Sequence, residues 1–156
     1  MMLSIAGIFF LSLLILDVNK GTGSRLIEQY SNEAVIEATG IVGGLFEEIQ
    51  SRAFDEETIT GSVKKSNLLT NLISIGPDSA EYLSTSFDDI DDYNNYMLVD
   101  STTGMGDFTL MVNVYYVEED DPDSDSSSST FLKRIRIAIN NQYLPVILVF
   151  NRLVSY

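Results

Sequence analysis

Four aspartates lie close together in the middle of this sequence and could bind a divalent cation. Carboxylate oxygens are ligands that Ca²⁺ prefers in proteins, and the segment Phe87–Asn94 contains four carboxylates. The segment lacks the residue order of an EF-hand loop, so a solvated acidic turn is the alternative. The candidate calcium ligands are Asp88, Asp89, Asp91 and Asp92.

A second acidic run, Asp120–Asp125, precedes a serine tract. It also contains four aspartates, but its polar, low-complexity composition predicts a mobile connector that cannot form a core. We therefore expect it to be the poorer cation site. The tract Ser126–Thr130 is a candidate for O-linked glycosylation on an outer surface, with an unmodified loop as the alternative.

Composition excludes most other chemistry. The chain contains no histidine and no cysteine, so it lacks the commonest general base, a thiolate zinc site and disulfide bonds. It carries 9 Lys+Arg against 23 Asp+Glu, a net charge of −14, whereas nucleic-acid binding relies on Lys and Arg that replace counterions. We expect neither an enzyme nor a nucleic-acid-binding protein, and no cofactor besides the candidate Ca²⁺.

The N-terminal run Met1–Leu16 carries no charged residue. As a helix it would span roughly 24 Å, somewhat less than the ~30 Å core of a bilayer. A cleaved signal peptide would need a basic n-region and a small-residue cleavage site. Met1 and Met2 supply no basic residue, and Asp17–Gly21 is not a small-residue cleavage site. A simple membrane anchor is a second interpretation. A mature chain, from which a short basic leader was removed before Met1, explains the missing basic region best.

A second helical pattern follows a weak point in the chain. Gly21 and Gly23 together cost a helix about 2 kcal/mol relative to alanine, and Ser24 offers an N-cap for a helix that extends to about position 54. Apolar residues recur there at spacings of three and four, which is typical of an amphipathic helix. Three glycines in 40–44 weaken its middle but would let another backbone approach closely. The apolar positions are Leu26, Ile27, Tyr30, Ala34, Val35, Ala38, Ile41, Val42, Leu45, Ile49 and Ala53.

Short strands follow this helix. Phe108–Val117 alternates in period two, and Phe131–Ile139 places three isoleucines on one face and two arginines on the other. Val146–Val154 is a third strand after a turn, and Tyr96–Val99 adds a further one. Before them, 55–66 is predicted to be a loop and 67–75 a short helical or extended apolar piece.

Consecutive strands with short links favour an antiparallel meander. Such a sheet would cover the apolar side of the helix. The sequence therefore predicts an α+β fold, in which a long N-terminal spine helix (apolar half, glycine-rich joint, amphipathic half) packs on an antiparallel sheet. The predicted division is 1–23 for the hydrophobic half-helix and joint, and 24–156 for the globular domain.

This order of elements resembles that of type IV pilins and of the pseudopilins of type II secretion. Leu45–Asp55 is similar to the helix-ending L-x-E-E-I-x-S-x-x-F-D segment of minor pilins. Phe87–Asn94 looks like the F-D-D-V-D-D-Y stretch of minor pilins from mannose-sensitive haemagglutinin-type pili. The resemblance implies a pilin-like fold that polymerises through its N-terminal helix, and it places any unwinding of that helix on assembly at 21–23.

Two features depart from the family pattern. The leader that ends in glycine is missing, which maturation would explain. Ile5 stands where the family usually has a glutamate that neutralises the amine of a neighbouring subunit, so register would have to come from packing.

Asp17 would pair with Lys20 at the membrane boundary, or with Lys20 or Arg25 of a neighbour inside a filament. The implied assembly residues are Met1, Leu3, Ile5, Ile8, Phe9, Phe10, Leu13, Leu14, Leu16, Asp17, Lys20, Gly21 and Gly23.

The sequence thus predicts a structural subunit of an extracellular, type IV pilus-like filament. Its partners would be further copies of the same chain, the inner membrane before assembly, and the pilus or secretion assembly machinery. One alternative is a pseudopilin or minor pilin that forms no long fibre. Another is a single-span, membrane-anchored binding module that stays monomeric.

Overall fold

One long helix, α1 (Met2–Gln50), begins the fold and is followed by four strands. The structure is a computed structural model. It describes the backbone of residues 2–156 except 80 and 103, and the side chains of 25–156 except 80, 102 and 103. A short helix, α2 (Glu56–Ile59), and three 3₁₀ turns link α1 to the sheet. The turns are Ser66–Leu68, Leu72–Ser74 and Asp91–Tyr93, and the strands are β1 (Met97–Thr102), β2 (Gly106–Tyr116), β3 (Leu132–Asn140) and β4 (Leu148–Ser155).

The helix α1 includes the glycines at 21–23 and continues through Ser24. The single long helix agrees with the predicted spine helix, but Ser24 lies inside it, so the prediction that Ser24 is an N-cap is wrong. Extending an existing helix adds one hydrogen bond per residue, so the cost of about 1 kcal/mol for each glycine does not stop it. Unwinding of this stretch on assembly stays a prediction. The helix ends at Gln50, before the predicted boundary near 54, and the chain then turns into the body.

The body covers the predicted apolar stripe only from Ala34 onward, and Val35 within that part is exposed. The buried residues of α1 recur at the spacing of one helical face, and they include Phe46, which the predicted stripe omitted. Leu26 is 49 % exposed and Ile27 is 72 % exposed; these predicted stripe positions precede the covered part of the helix. Tyr30 is half exposed and stacks on Tyr143, with ring centroids 5.3 Å apart. The buried set is Ala34, Ala38, Val42, Leu45, Phe46 and Ile49.

The four strands form an antiparallel sheet in the order β1-β2-β3-β4, which confirms the predicted meander. Side chains alternate along β2 between the core and the outer face, as the period of two requires. The α+β prediction is confirmed: the buried side chains of α1 and the inward ones of β2 and β3 form one hydrophobic core. The inward residues of β2 are Phe108, Leu110, Val112, Val114 and Tyr116, and those of β3 include Ile135, Ile137 and Ile139.

The acidic connector between β2 and β3 makes hydrogen bonds to the strands, and its mobility stays a prediction. The Ser126 backbone N–H donates to the Tyr116 carbonyl at 2.9 Å, and Ser126 is buried. Thr130 Oγ1 donates to the Val117 carbonyl at 2.8 Å. Arg134 donates to the Pro122 carbonyl. Hydrogen bonds to strand ends, which need no apolar side chains, hold this segment in place.

Candidate functional site

A fully buried lysine, Lys133, lies on the inner face of β3. Its Nζ is 2.8 Å from Asp55 Oδ2 and 2.7 Å from Asp91 Oδ1, and it donates to the Phe54 carbonyl at 2.8 Å. The rings of Phe54 and Tyr116 lie 4.5 Å and 4.8 Å from Nζ. One ammonium group therefore joins two carboxylates that come from different parts of the chain.

Asp55 is the centre of this network because it contacts four separate segments. It follows α1 and caps α2, where its Oδ1 accepts from the Glu57 N–H at 3.2 Å. Oδ1 also accepts from the Thr70 N–H and Thr70 Oγ1, both at 3.0 Å. Oδ2 accepts from the Tyr116 hydroxyl at 2.7 Å. The end of α1, the segment around position 70, β2 and β3 are thus held together at one carboxylate.

The two carboxylates differ in their electrostatic surroundings. Burial raises the pKa of Asp55, but the charge and hydrogen bond of Lys133, with the donors from Tyr116 and Thr70, outweigh it and leave this pKa lowered. Burial raises the pKa of Asp91 to about 6, although Lys133 acts in the opposite direction. Among the described residues the Asp91 oxygens have no hydrogen-bond partner apart from their ion pair with Lys133. Asp55 is held as a carboxylate, whereas Asp91 exchanges its proton near neutral pH.

The sequence interpretation did not include Lys133 or Asp55 among the site residues. The signal was present, because the alternation that turns Ile135, Ile137 and Ile139 inward also turns Lys133 inward. A buried lysine requires anionic partners. Their identity depends on residues 42 and 78 positions away in the chain (133 minus 91 and 133 minus 55), which no local pattern specifies.

The four predicted calcium ligands do not converge on one point. Asp88 is exposed and the other three are buried. Asp89 Oδ1 accepts from the Asp91 N–H at 2.6 Å and the Asp92 N–H at 3.1 Å. Asp92 Oδ2 accepts from the Asp88 N–H at 2.9 Å and the Asp89 N–H at 3.1 Å. Asp89 and Asp92 thus bind backbone groups of their own turn, and Asp91 faces Lys133.

A different set of three carboxylates does approach a common point. Oxygens of Glu81, Asp88 and Asp92 lie within 4.8 Å of one another. Burial, followed by a hydrogen bond with Asp92, raises the pKa of Glu81 to about 7. Glu81 was not among the predicted ligands, since it precedes the aspartate cluster by several positions. Calcium binding by this segment stays a prediction.

The side of α1 that faces away from the sheet is the second candidate site, and we call it the outer side of α1. It carries Ile36, which is 73 % exposed, and the exposed Gly40 and Gly44. A Cβ added at any of the three glycines in 40–44 would have no described atom within 4 Å. Among the described residues, none makes the close backbone approach predicted for these glycines.

The predicted assembly residues, from Met1 to Gly23, lie outside the side chains that the structure describes. Within the described part of the chain, no helix combines the length and the apolar character that crossing a membrane requires.

Comparison with protein-family models, with characterised proteins and with solved structures finds no significant match. The resemblance to pilins rests on the sequence segments quoted above and on the order of elements.

Proposed function

We propose that this protein is the structural subunit of an extracellular, type IV pilus-like filament, and that α1 is its polymerisation element. Further copies of α1 cover the outer side of this helix in the filament. The globular part, with its acidic connector, faces solvent. Before assembly the segment 1–23 lies in the inner membrane.

The observation that carries this proposal is the apolar character of α1 on both sides. Residues 34–46 contain one charged residue, Glu37. The sheet covers one side of this stretch, while Ile36 and two glycines are exposed on the other. A surface helix normally carries polar residues opposite its core-facing side, and a helix that is apolar all round is buried. The uncovered side of α1 therefore supports burial against another molecule.

The glycines indicate which molecule this is. Each glycine inside a helix costs about 1 kcal/mol relative to alanine, and no described residue of this chain packs closely enough on these three to require them. Small residues on a helix let a second helix approach closely. A second copy of α1 supplies such a helix in every filament of identical subunits.

Charged substitutions on α1 and on the body test this proposal. Ile36→Glu places a carboxylate on the outer side of α1. Ile73→Glu is the matched control on the 3₁₀ turn Leu72–Ser74 of the body, where Ile73 is 94 % exposed. Both positions are exposed, so both variants are expected to fold. We expect Ile36→Glu to reduce filament mass at least tenfold in electron micrographs of sheared surface material, and Ile73→Glu to leave it unchanged.

Two results would contradict the proposal. Filaments formed by Ile36→Glu at the level of the unsubstituted chain would show that the outer side of α1 makes no essential contact. Equal loss in both variants would show that the effect does not depend on this helix.

The similarity to segments of minor pilins favours a second candidate, in which the same assembly places this chain at a filament tip or within a secretion machine. Abundance distinguishes the two roles. A major subunit dominates sheared filaments, whereas a tip subunit is scarce relative to the other pilins in the same preparation. Quantitative mass spectrometry of that material measures the ratio.

A further inference from the structure

The buried Lys133 site contains the groups that can join two side chains covalently. We propose that Lys133 Nζ and the Asp55 carboxyl group condense in the folded chain to an intramolecular isopeptide bond, with Asp91 as the group that transfers the protons. This proposal does not depend on the filament function.

Contact between the reacting groups is already present. Nζ lies 2.8 Å from Asp55 Oδ2, and both side chains are fully buried. Groups held in a reactive geometry behave as if present at effective concentrations of about 10⁵–10⁸ M. Burial also keeps bulk water away from the product, so hydrolysis of the amide is suppressed.

The oxygen that remains on the amide lies among hydrogen-bond donors. Oδ1 accepts from the Thr70 N–H and Thr70 Oγ1 at 3.0 Å each, and from the Glu57 N–H at 3.2 Å. When Nζ attacks Cγ, negative charge develops on the carboxyl oxygens, and preorganised donors stabilise it. The Tyr116 hydroxyl donates to Oδ2, the oxygen that leaves, at 2.7 Å.

Asp91 is placed to move the protons. Its Oδ1 lies 2.7 Å from Nζ, which is within hydrogen-bond reach, so a proton can pass from Nζ to this carboxylate and back. Two protons leave the Nζ ammonium and both end on Oδ2. The Nζ–Cγ bond forms, the Cγ–Oδ2 bond breaks and one water molecule departs. The ammonium and carboxylate charges cancel, so no oxidant or co-substrate is needed.

The bond would connect positions that are 78 residues apart. It would join the residue that caps α2, just after α1, to the central strand β3. In a chain without cysteine, this is a covalent constraint that does not depend on disulfide chemistry.

Mass spectrometry of the full-length chain tests the proposal directly. We expect the intact mass to be lower than the sequence mass by one water molecule, and a proteolytic digest to contain a branched peptide pair that joins Asp55 to Lys133. Lys133→Arg and Asp91→Asn are expected to have their full sequence masses. Asp107→Asn is the matched control, because it replaces an exposed carboxylate on β2 that makes no contact with the Lys133 site. This variant is expected to be lighter than its sequence mass by one water molecule.

The proposal is overturned if the folded, unsubstituted chain has its full sequence mass. The site would then be an ordinary ion-pair network. A loss of water that maps to a linear peptide overturns it as well. The mass of the unsubstituted chain decides the question even where a variant fails to fold. Full bond formation in Asp91→Asn would overturn the role given to Asp91.

Discussion

At the scale of single residues, the most consequential position is Lys133. Removing a charge from water costs several kcal/mol, and the cost is recovered only where partners are close and well oriented. Lys133 meets this condition with two carboxylates and a carbonyl within 2.8 Å. Burial raises the pKa of one of these carboxylates, Asp91, and the charge of Asp55 adds to the shift, although Lys133 opposes it.

Replacing this lysine tests how much the fold depends on it. Lys133→Met keeps an unbranched side chain but leaves Asp55 and Asp91 buried without a cation. This change is expected to lower the free energy of unfolding by about 3–5 kcal/mol. Arg136→Met, on the exposed face of the same strand, is the control and is expected to change it by no more than about 0.5 kcal/mol. Urea titration at pH 7 measures both. Similar values for the two variants would show that the ion pairs contribute little.

The pH dependence of stability follows from the acidic turn. Burial, with the nearby charges of Asp91 and Asp92, raises the pKa of Asp89 from 3.8 to about 8. The folded chain therefore binds more protons than the unfolded chain between these values, and its stability falls as the pH rises through that window. The pKa of Glu81, raised to about 7, acts in the same direction. The lowered pKa of Asp55 acts in the opposite direction, but only below its ordinary value.

We therefore expect the unfolding free energy to decrease from pH 5 to pH 8.5. Asp89→Asn keeps the oxygen that accepts from the Asp91 and Asp92 backbone but cannot titrate, so it is expected to flatten this dependence. Asp107→Asn is the exposed control and should retain the slope of the unsubstituted chain. Chemical denaturation at closely spaced pH values measures the slopes, and an unchanged slope in Asp89→Asn would contradict the assignment.

At the scale of elements, α1 has two sides with different consequences. The side that carries Ala34, Ala38 and Val42 is buried against the sheet and stabilises the isolated chain. The outer side, with its exposed glycines, contributes nothing to the described core. In the proposed filament, the buried side of α1 stabilises the folded monomer, and the outer side of α1 stabilises the polymer.

Alanine substitutions separate these two effects. Gly40→Ala and Gly44→Ala are each expected to stabilise the monomer by about 0.5–1 kcal/mol, because alanine is the better helix former and its Cβ meets no described atom. The same variants are expected to reduce filament yield, since the added methyl groups keep a second helix away. Thermal unfolding and electron microscopy measure the two properties. Improved stability with unchanged filaments would exclude these glycines from the subunit contact.

At the scale of the whole molecule, α1 and the body share one described hydrophobic core. Within the described residues, the hydrophobic core begins at Ala34 and draws on α1, the 87–93 segment and the sheet. The net charge of −14 favours a well-solvated body whose copies repel one another in solution.

A truncated chain tests whether the N-terminal segment is needed for polymerisation. Residues 25–156 alone are expected to form a soluble monomer, because they include every residue of the described hydrophobic core. Sedimentation velocity and thermal unfolding measure the assembly state and the stability, with the full-length chain in detergent as the reference. Filaments formed by the truncated chain would show that the N-terminal segment is not needed for polymerisation.

Local patterns in the sequence were sufficient to predict much of this architecture. The alternation along Phe108–Tyr116 and Ile135–Ile139 predicted which side chains are buried, because successive residues of a strand face opposite sides of the sheet. The spacing of Ala34, Ala38 and Val42 predicted the buried side of α1 for the same kind of reason, since residues three and four apart share one side of a helix. Short links between strands predicted the antiparallel order.

The tertiary structure decided the features that depend on distant residues. Hydrophobic periodicity identifies the side of a helix that can be buried, but it does not show how far the covering sheet extends. The exposure of Leu26 and Ile27 could therefore not be predicted from the sequence. Adjacent aspartates suggested one cation site, whereas backbone geometry turned Asp91 toward Lys133 and brought Glu81 to Asp88 and Asp92. The elements and their inward sides follow from local geometry, so short stretches of sequence were enough to predict them. Only folding determined which charges meet, because their partners come from positions far apart in the chain.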